Sequence, residues 1–120
     1  MAPRRMDSVK RASALGIPIV AGVDTTYDPS STARITREVG LLVEAGLTPW
    51  DAIRAATSVA ARHLGLEGKT GALKPGLEGD LIVIESNPLE DIVRLQDILV
   101  VISNGMVGLN RMPKIRDDYR

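Results

Sequence analysis

Between Ile17 and Val23 the chain runs Ile-Pro-Ile-Val-Ala-Gly-Val without one polar side chain. Successive residues of a strand point to opposite faces, so this run is apolar on both, the pattern of a parallel strand covered by helices on either side. Pro18 falls at its start, where a missing donor is tolerated. Such a strand needs neighbours on both edges. Left unpaired in an apolar setting, each backbone N–H and C=O costs roughly 1–3 kcal/mol. The remaining residues offer no second strand of this kind with its own crossover helix. The expectation is that the chain is the end piece of a larger α/β protein, or docks into one.

Helices are expected around this run. Asp7 or Ser8 is placed to cap a helix ending near Leu15, with Gly16 as its left-handed terminator after a short basic lead-in from Met1 to Met6. After a polar loop from Asp24 to Thr32, Ile35, Val39, Leu42 and Val43 fall at helical spacing and predict a helix from Ala33 to Ala45, stopped by Gly46. Thr48-Pro49-Trp50-Asp51 opens another. There Thr48 caps, Pro49 loses no bond in the first turn, and Asp51 reaches back to the cap. This helix is expected to carry Ile53, Ala56, Ala60 and Leu64 on one face and to stop at Gly65, with Trp50 packing as a staple-like anchor.

From Gly65 onward the character changes to glycine-punctuated short pieces. Asp80 to Glu85 and Ile98 to Ser103 read as strands, Asn87 to Glu90 as a brief helical turn, and Asn104-Gly105 as a tight hairpin leading into Met106 to Leu109. Arg111 to Arg120 is an almost wholly polar tail. The second half is thus a small antiparallel sheet.

Chemistry is limited by what is missing. Fifteen Lys and Arg balance fifteen Asp and Glu, and only Tyr27, Trp50 and Tyr119 are aromatic, which argues against nucleic acid as a partner. There is no cysteine, so no disulfide, thiolate metal site or thiol nucleophile; this accords with the cytoplasm. No stretch approaches the ~18 apolar residues of a membrane helix.

Asp24 ends the buried run, at the place where parallel α/β architectures mount reacting groups on rigid strand termini. A carboxylate there can ligate a metal or take a proton from metal-bound water, although a turn residue is the plainer role. Asp28 precedes Pro29 and reads first as a turn, while Ser30, Ser31 and Thr32 have no neighbouring base in sequence. His63, the single histidine, falls at a helix end, where it interacts well with the carbonyls. Gly65 to Thr70 is no phosphate loop, because His63 occupies the position of the first required glycine and no strand precedes it.

In order and spacing, these pieces resemble the C-terminal part of the amidohydrolase superfamily, in its imidazolonepropionase-like and Xaa-Pro dipeptidase-like branch. Ala21-Gly22-Val23-Asp24 is similar to the Ala-Gly-Thr-Asp that closes the eighth barrel strand, with Val23 in place of Thr. Leu41 to Pro49, Ala52 to Thr57 and Ala60 to Leu66 resemble the helices that follow. Gly71 to Gly76, Gly79 to Val83 with Gly79 in place of Ala, Asn87 to Ile92 and Val101 to Val107 resemble the returning β-sandwich segment and its hairpin.

The resemblance implies an α/β fold in which residues 1–66 are the end of a (β/α)8 barrel, 67–110 a β-sandwich return and 111–120 a polar tail. It implies hydrolysis of amide, cyclic amide or dipeptide-like bonds of a small molecule by water activated on a divalent metal, zinc being the expected ion. Asp24 then matches the carboxylate that binds metal and shuttles the proton. The family's histidine ligands and bridging residue lie in its preceding strands, so this chain by itself is expected to hold no metal tightly and to be inactive. The missing barrel portion is the expected partner. A contrasting expectation is a non-catalytic remnant or self-associating structural module.

Overall fold

The computed structural model describes residues 3–24 and 34–112. Helix α1 spans Pro3–Ala14 and opens a turn earlier than the cap at Asp7 or Ser8 predicts. The Ser8 hydroxyl instead donates to the Arg4 carbonyl within the helix, 3.0 Å away. Its end is as predicted. Gly16 adopts φ +72°, its N–H bonds the Ser13 carbonyl and the Ile17 N–H bonds that of Ala12, closing a paired-bond cap that an L side chain would strain.

Ile17 to Val23 forms no helix and, among the described residues, belongs to no ladder. The expected strand is therefore a lone ribbon, because pairing requires a partner that these residues do not supply. Ile19 and Ala21 pack against the core while Ile17 is 52% exposed and Val20 also faces out. The run is therefore only partly covered.

Helix α2, Ile35–Glu44, buries Val39 and Leu42 at 3% exposure each, while Ile35 at the start of the predicted stripe stays exposed. Helix α3, Pro49–Ala55, is capped as the sequence predicts: Thr48 Oγ1 accepts the Asp51 N–H at 3.1 Å and donates to Asp51 Oδ2 at 2.7 Å. The single long helix expected here is in fact two. The chain turns at Ala56–Thr57, and α4 runs Ser58–His63. Ala52 and Ala55 of α3 and Ala61 of α4 are the buried positions; of the predicted stripe, Ile53 and Ala56 pack against the core partly buried, and Leu64 is exposed. Trp50, expected to anchor, is 58% exposed because the core side of α3 is taken by those alanines.

Strands β1, Leu81–Ile84, β2, Ile98–Ser103, and β3, Met106–Asn110, form an antiparallel sheet with β2 in the middle. Asn104 and Gly105 take φ +50° and +73°, the two positive values a tight hairpin requires. Asn87 holds its predicted turn through Oδ1, which accepts the Leu89 N–H. The sequence gives no warning of the 3₁₀ helix Ile92–Gln96, capped by Asp91 through the Val93 N–H. That helix inserts Leu95 beside Val39, Leu42, Leu47, Ala52 and Ala55, with Ile84 and Ile92 alongside, so the helices and the sheet share one apolar cluster.

Gly71 shows how tightly the loop after α4 lies on the helices. At φ +87°, a Cβ added to it would fall 2.6 Å from Ala61 Cβ and 3.0 Å from the Thr57 carbonyl oxygen. Gly71→Ala is accordingly expected to cost about 1–3 kcal/mol from overpacking and left-handed backbone together, read as a lower urea midpoint at unchanged slope. A midpoint equal to wild type would show that this loop is not packed as described.

Candidate active-site edge

Asp24 stands at the end of the ribbon, exposed to solvent, with φ +50°. A non-glycine residue in this region is uncommon, although Asp is among the residues that enter it most readily. The ribbon that carries Asp24 is tied to the helices by a backbone bond: the Ala21 N–H donates to the Ala55 carbonyl at 2.9 Å. Small side chains make this approach possible, since Ala52 and Ala55 put almost no bulk between α3 and the ribbon.

The ribbon forms one wall of a groove. Ile17, Pro18 and Val20 line it opposite Leu47, Val59 and the charged rim of Asp51, Arg54, Arg62 and His63. Arg54 pairs with Asp51 at 3.8 Å and Arg62 with Glu67 at 3.2 Å, all at exposed positions where such pairs contribute about 0–1 kcal/mol. His63 thus sits beside the start of the ribbon, at the end of α4, and Asp24 is not part of the same groove. Sequence proximity of neither residue to the other is replaced by spatial proximity. Asp28, Ser30, Ser31 and Thr32 lie outside the described residues. Gly65 to Thr70 is a run of turns after a helix, as expected.

Among the described residues no three His, Asp or Glu side chains gather closely enough to hold a metal ion. Asp24 offers one carboxylate, whereas a catalytic zinc centre ordinarily takes three protein ligands and an open position. The described residues therefore do not fit a complete metal site. No helix among them is long and apolar enough to cross a membrane.

Asp80, which the sequence marks only as a strand start, proves to be a structural clasp. Its Oδ2 accepts the Thr70 hydroxyl and its Oδ1 the Asn104 N–H, both at 2.8 Å. The Asn104 amide first, then the Thr70 hydroxyl, hold the carboxyl below its ordinary value by favouring the charged form. Beside it, the Gly79 carbonyl accepts the Gly105 N–H at 2.9 Å, and a Cβ on Gly79 would meet the Gly105 backbone at 3.1 Å. A side chain at position 79 would therefore press on the hairpin backbone.

A folded-state value below the unfolded one means that Asp80 contributes stability above the unfolded carboxylate range, ~3.9, and loses it as pH falls through the lower folded value. The acid-side fall of the urea midpoint is expected to be shallower in Asp80→Asn than in wild type below about pH 4. Parallel curves for the two proteins would remove Asp80 from the acid response.

Residues 2–107 match the family model described as the amidohydrolase family. Over 99 residues the chain is 36% identical to ochratoxinase of Aspergillus niger, an alignment covering 81% of this chain and 20% of that protein. Among the solved structures similar to it are two hydrolase-like proteins. One is a Xaa-Pro dipeptidase with methionine in its active site, at TM-score 0.79 and 33% identity, covering 88% of this chain and 25% of that one. The other is a prolidase-like protein from Bifidobacterium longum, at TM-score 0.78 and 37% identity, covering 91% and 27%. The chain spans about a fifth of the length of the curated relative and about a quarter of these structures.

Proposed function

The chain belongs to the amidohydrolase family, and from that premise we propose that it supplies the carboxyl-terminal part of a hydrolase acting on C–N bonds. The substrate class is a small molecule with an amide, cyclic amide or dipeptide-like bond, in keeping with the Xaa-Pro dipeptidase and ochratoxinase among its relatives. In this reading Ile17 to Val23 is the last strand of a (β/α)8 barrel, residues 1–66 being the barrel's end, 67–110 part of a β-sandwich and 111–120 a polar tail. The rest of the barrel is its partner, and the cytoplasm its compartment.

The observation that carries the reading is the ribbon itself. It is apolar throughout, unpaired among the described residues, only partly covered, and it terminates in an aspartate. A neighbouring strand laid along its free edge would satisfy the ribbon's backbone groups, and the exposed Ile17 and Val20 would be covered by elements packed on the completed sheet. It would also bring Asp24 to the carboxyl edge of a sheet, where reacting groups are mounted.

Asp24 acts there as the proton-handling carboxylate and as a metal ligand. Asp24 would be one ligand of a divalent metal, zinc being the ion we expect, which would acidify a bound water toward neutrality. Its carboxylate would take the proton of that water and hand it to the departing nitrogen, so that the C–N bond would break without expelling an amide anion. The remaining ligands belong to the partner portion. Loss of turnover on Asp24→Asn with the fold retained is the test.

A second reading, a self-associating structural module, draws on β3, whose outer edge carries exposed Met106, Val107 and Leu109. Asp24→Asn separates the two, since such a module would be indifferent to that carboxylate.

A further inference from the structure

The turn between α3 and α4 does something that a continuous helix would not. It brings the Ala55 carbonyl to the ribbon, where it receives the Ala21 N–H three residues before Asp24. Beyond Ile17, among the described residues, this is the backbone bond that ties the ribbon to the helices. Thr57 holds the turn in place. As the residue before α4 it could spend its hydroxyl on capping that helix, yet it makes no cap bond. Its Oγ1 instead donates backwards to the Ile53 carbonyl at 2.9 Å, with the backbone at φ −128° and ψ −97°, outside the helical region. Gly71 closes on the same turn from the other side, near enough to the Thr57 carbonyl to exclude a side chain.

We propose that Thr57 is a positioning residue for Asp24: its hydroxyl fixes the break between α3 and α4, which presents the Ala55 carbonyl to Ala21 and so sets where the ribbon delivers its terminal carboxylate. The inference rests on the reading of Asp24 as the catalytic carboxylate. Asp24 follows Ala21 by three residues, so the anchor lies within roughly 10 Å of chain from the carboxylate it positions. A shift at the anchor is carried to the carboxylate, and misplacing a reacting group by about 1 Å can cost up to about a hundredfold in rate.

Two variants and two readouts test this. Thr57→Val keeps the branched shape and removes the donor; Thr57→Ser keeps the donor. In the full 120-residue chain, amide exchange at Ala21 is expected to quicken roughly five- to tenfold in Thr57→Val, the loss of about one hydrogen bond's net worth, and to return to the wild-type rate in Thr57→Ser. The amides of Val39 and Leu42 should keep their rates. In the complete enzyme, Thr57→Val is expected to lower kcat roughly ten- to a hundredfold at unchanged KM, with Thr57→Ser restoring it.

Unchanged exchange at Ala21, or equal acceleration at Val39 and Leu42, would overturn the proposal, the second by revealing a purely global effect. Altered Ala21 exchange with wild-type kcat would overturn the positioning role. Should Asp24→Asn itself retain full turnover, the catalytic reading falls, whereas the exchange data still judge the tether separately.

Discussion

Asp24→Asn in the complete enzyme is expected to lower kcat by about 10²- to 10⁴-fold, with circular dichroism and urea midpoint close to wild type. The magnitude is that of removing a general acid–base group. Asparagine matches aspartate in shape and retains one acceptor oxygen, but it cannot take up the water's proton or return it to the leaving nitrogen. The fold should tolerate the change because Asp24 is solvent-exposed and outside the apolar cluster. Its φ of +50° is also open to asparagine, one of the few side chains that enter this region at low cost. Full activity in the variant would remove Asp24 from the mechanism. An activity loss matched by an equal loss of folded protein would assign Asp24 to structure.

The largest expected effect on stability is at Leu42. Its side chain is 3% exposed and touches the centre where α2, α3 and the 3₁₀ helix meet, among Val39, Leu47, Ala52, Ala55 and Leu95. Leu42→Ala is expected to cost about 2–5 kcal/mol, the transfer term plus a cavity that rigid neighbours cannot refill. Against a typical total of about 5–15 kcal/mol this is a large fraction. Urea unfolding of Leu42→Ala measures it, and Leu64→Ala provides the control, because Leu64 is 67% exposed and its truncation should stay within about 0.5 kcal/mol. A loss below about 1 kcal/mol at Leu42 would mean that the cluster does not hold the elements together.

Features governed by neighbouring residues were legible without a structure. Gly16, Gly46 and Gly65 each end a helix at positive φ, as their place after an apolar-periodic run predicts. The Thr48-Pro49-Asp51 cap and the Asn104-Gly105 hairpin formed as read. In each case the controlling interaction spans five residues or fewer along the chain, so the local alphabet is sufficient. The break at Thr57 was not legible. Periodicity from Ile53 to Leu64 describes an unbroken helix, and the helical pattern encodes neither the Thr57 hydroxyl's bond to the Ile53 carbonyl nor the close passage of Gly71 at this turn. The Asp80 clasp escaped for the same reason, its partners being ten and twenty-four residues away.

The candidate site divides along this line. The amino-acid sequence by itself determined that a two-faced apolar run ends in a carboxylate, because side-chain alternation and the identity of residue 24 are properties of the chain. Tertiary structure alone decided which residues of that run are covered, that it is anchored through Ala21 to Ala55, and that His63 lies by its beginning rather than by Asp24. Those outcomes depend on where separate helices come to rest, and that is set by the summed burial of Val39, Leu42, Ala52, Ala55 and Leu95, residues drawn from three elements, rather than by any one local preference.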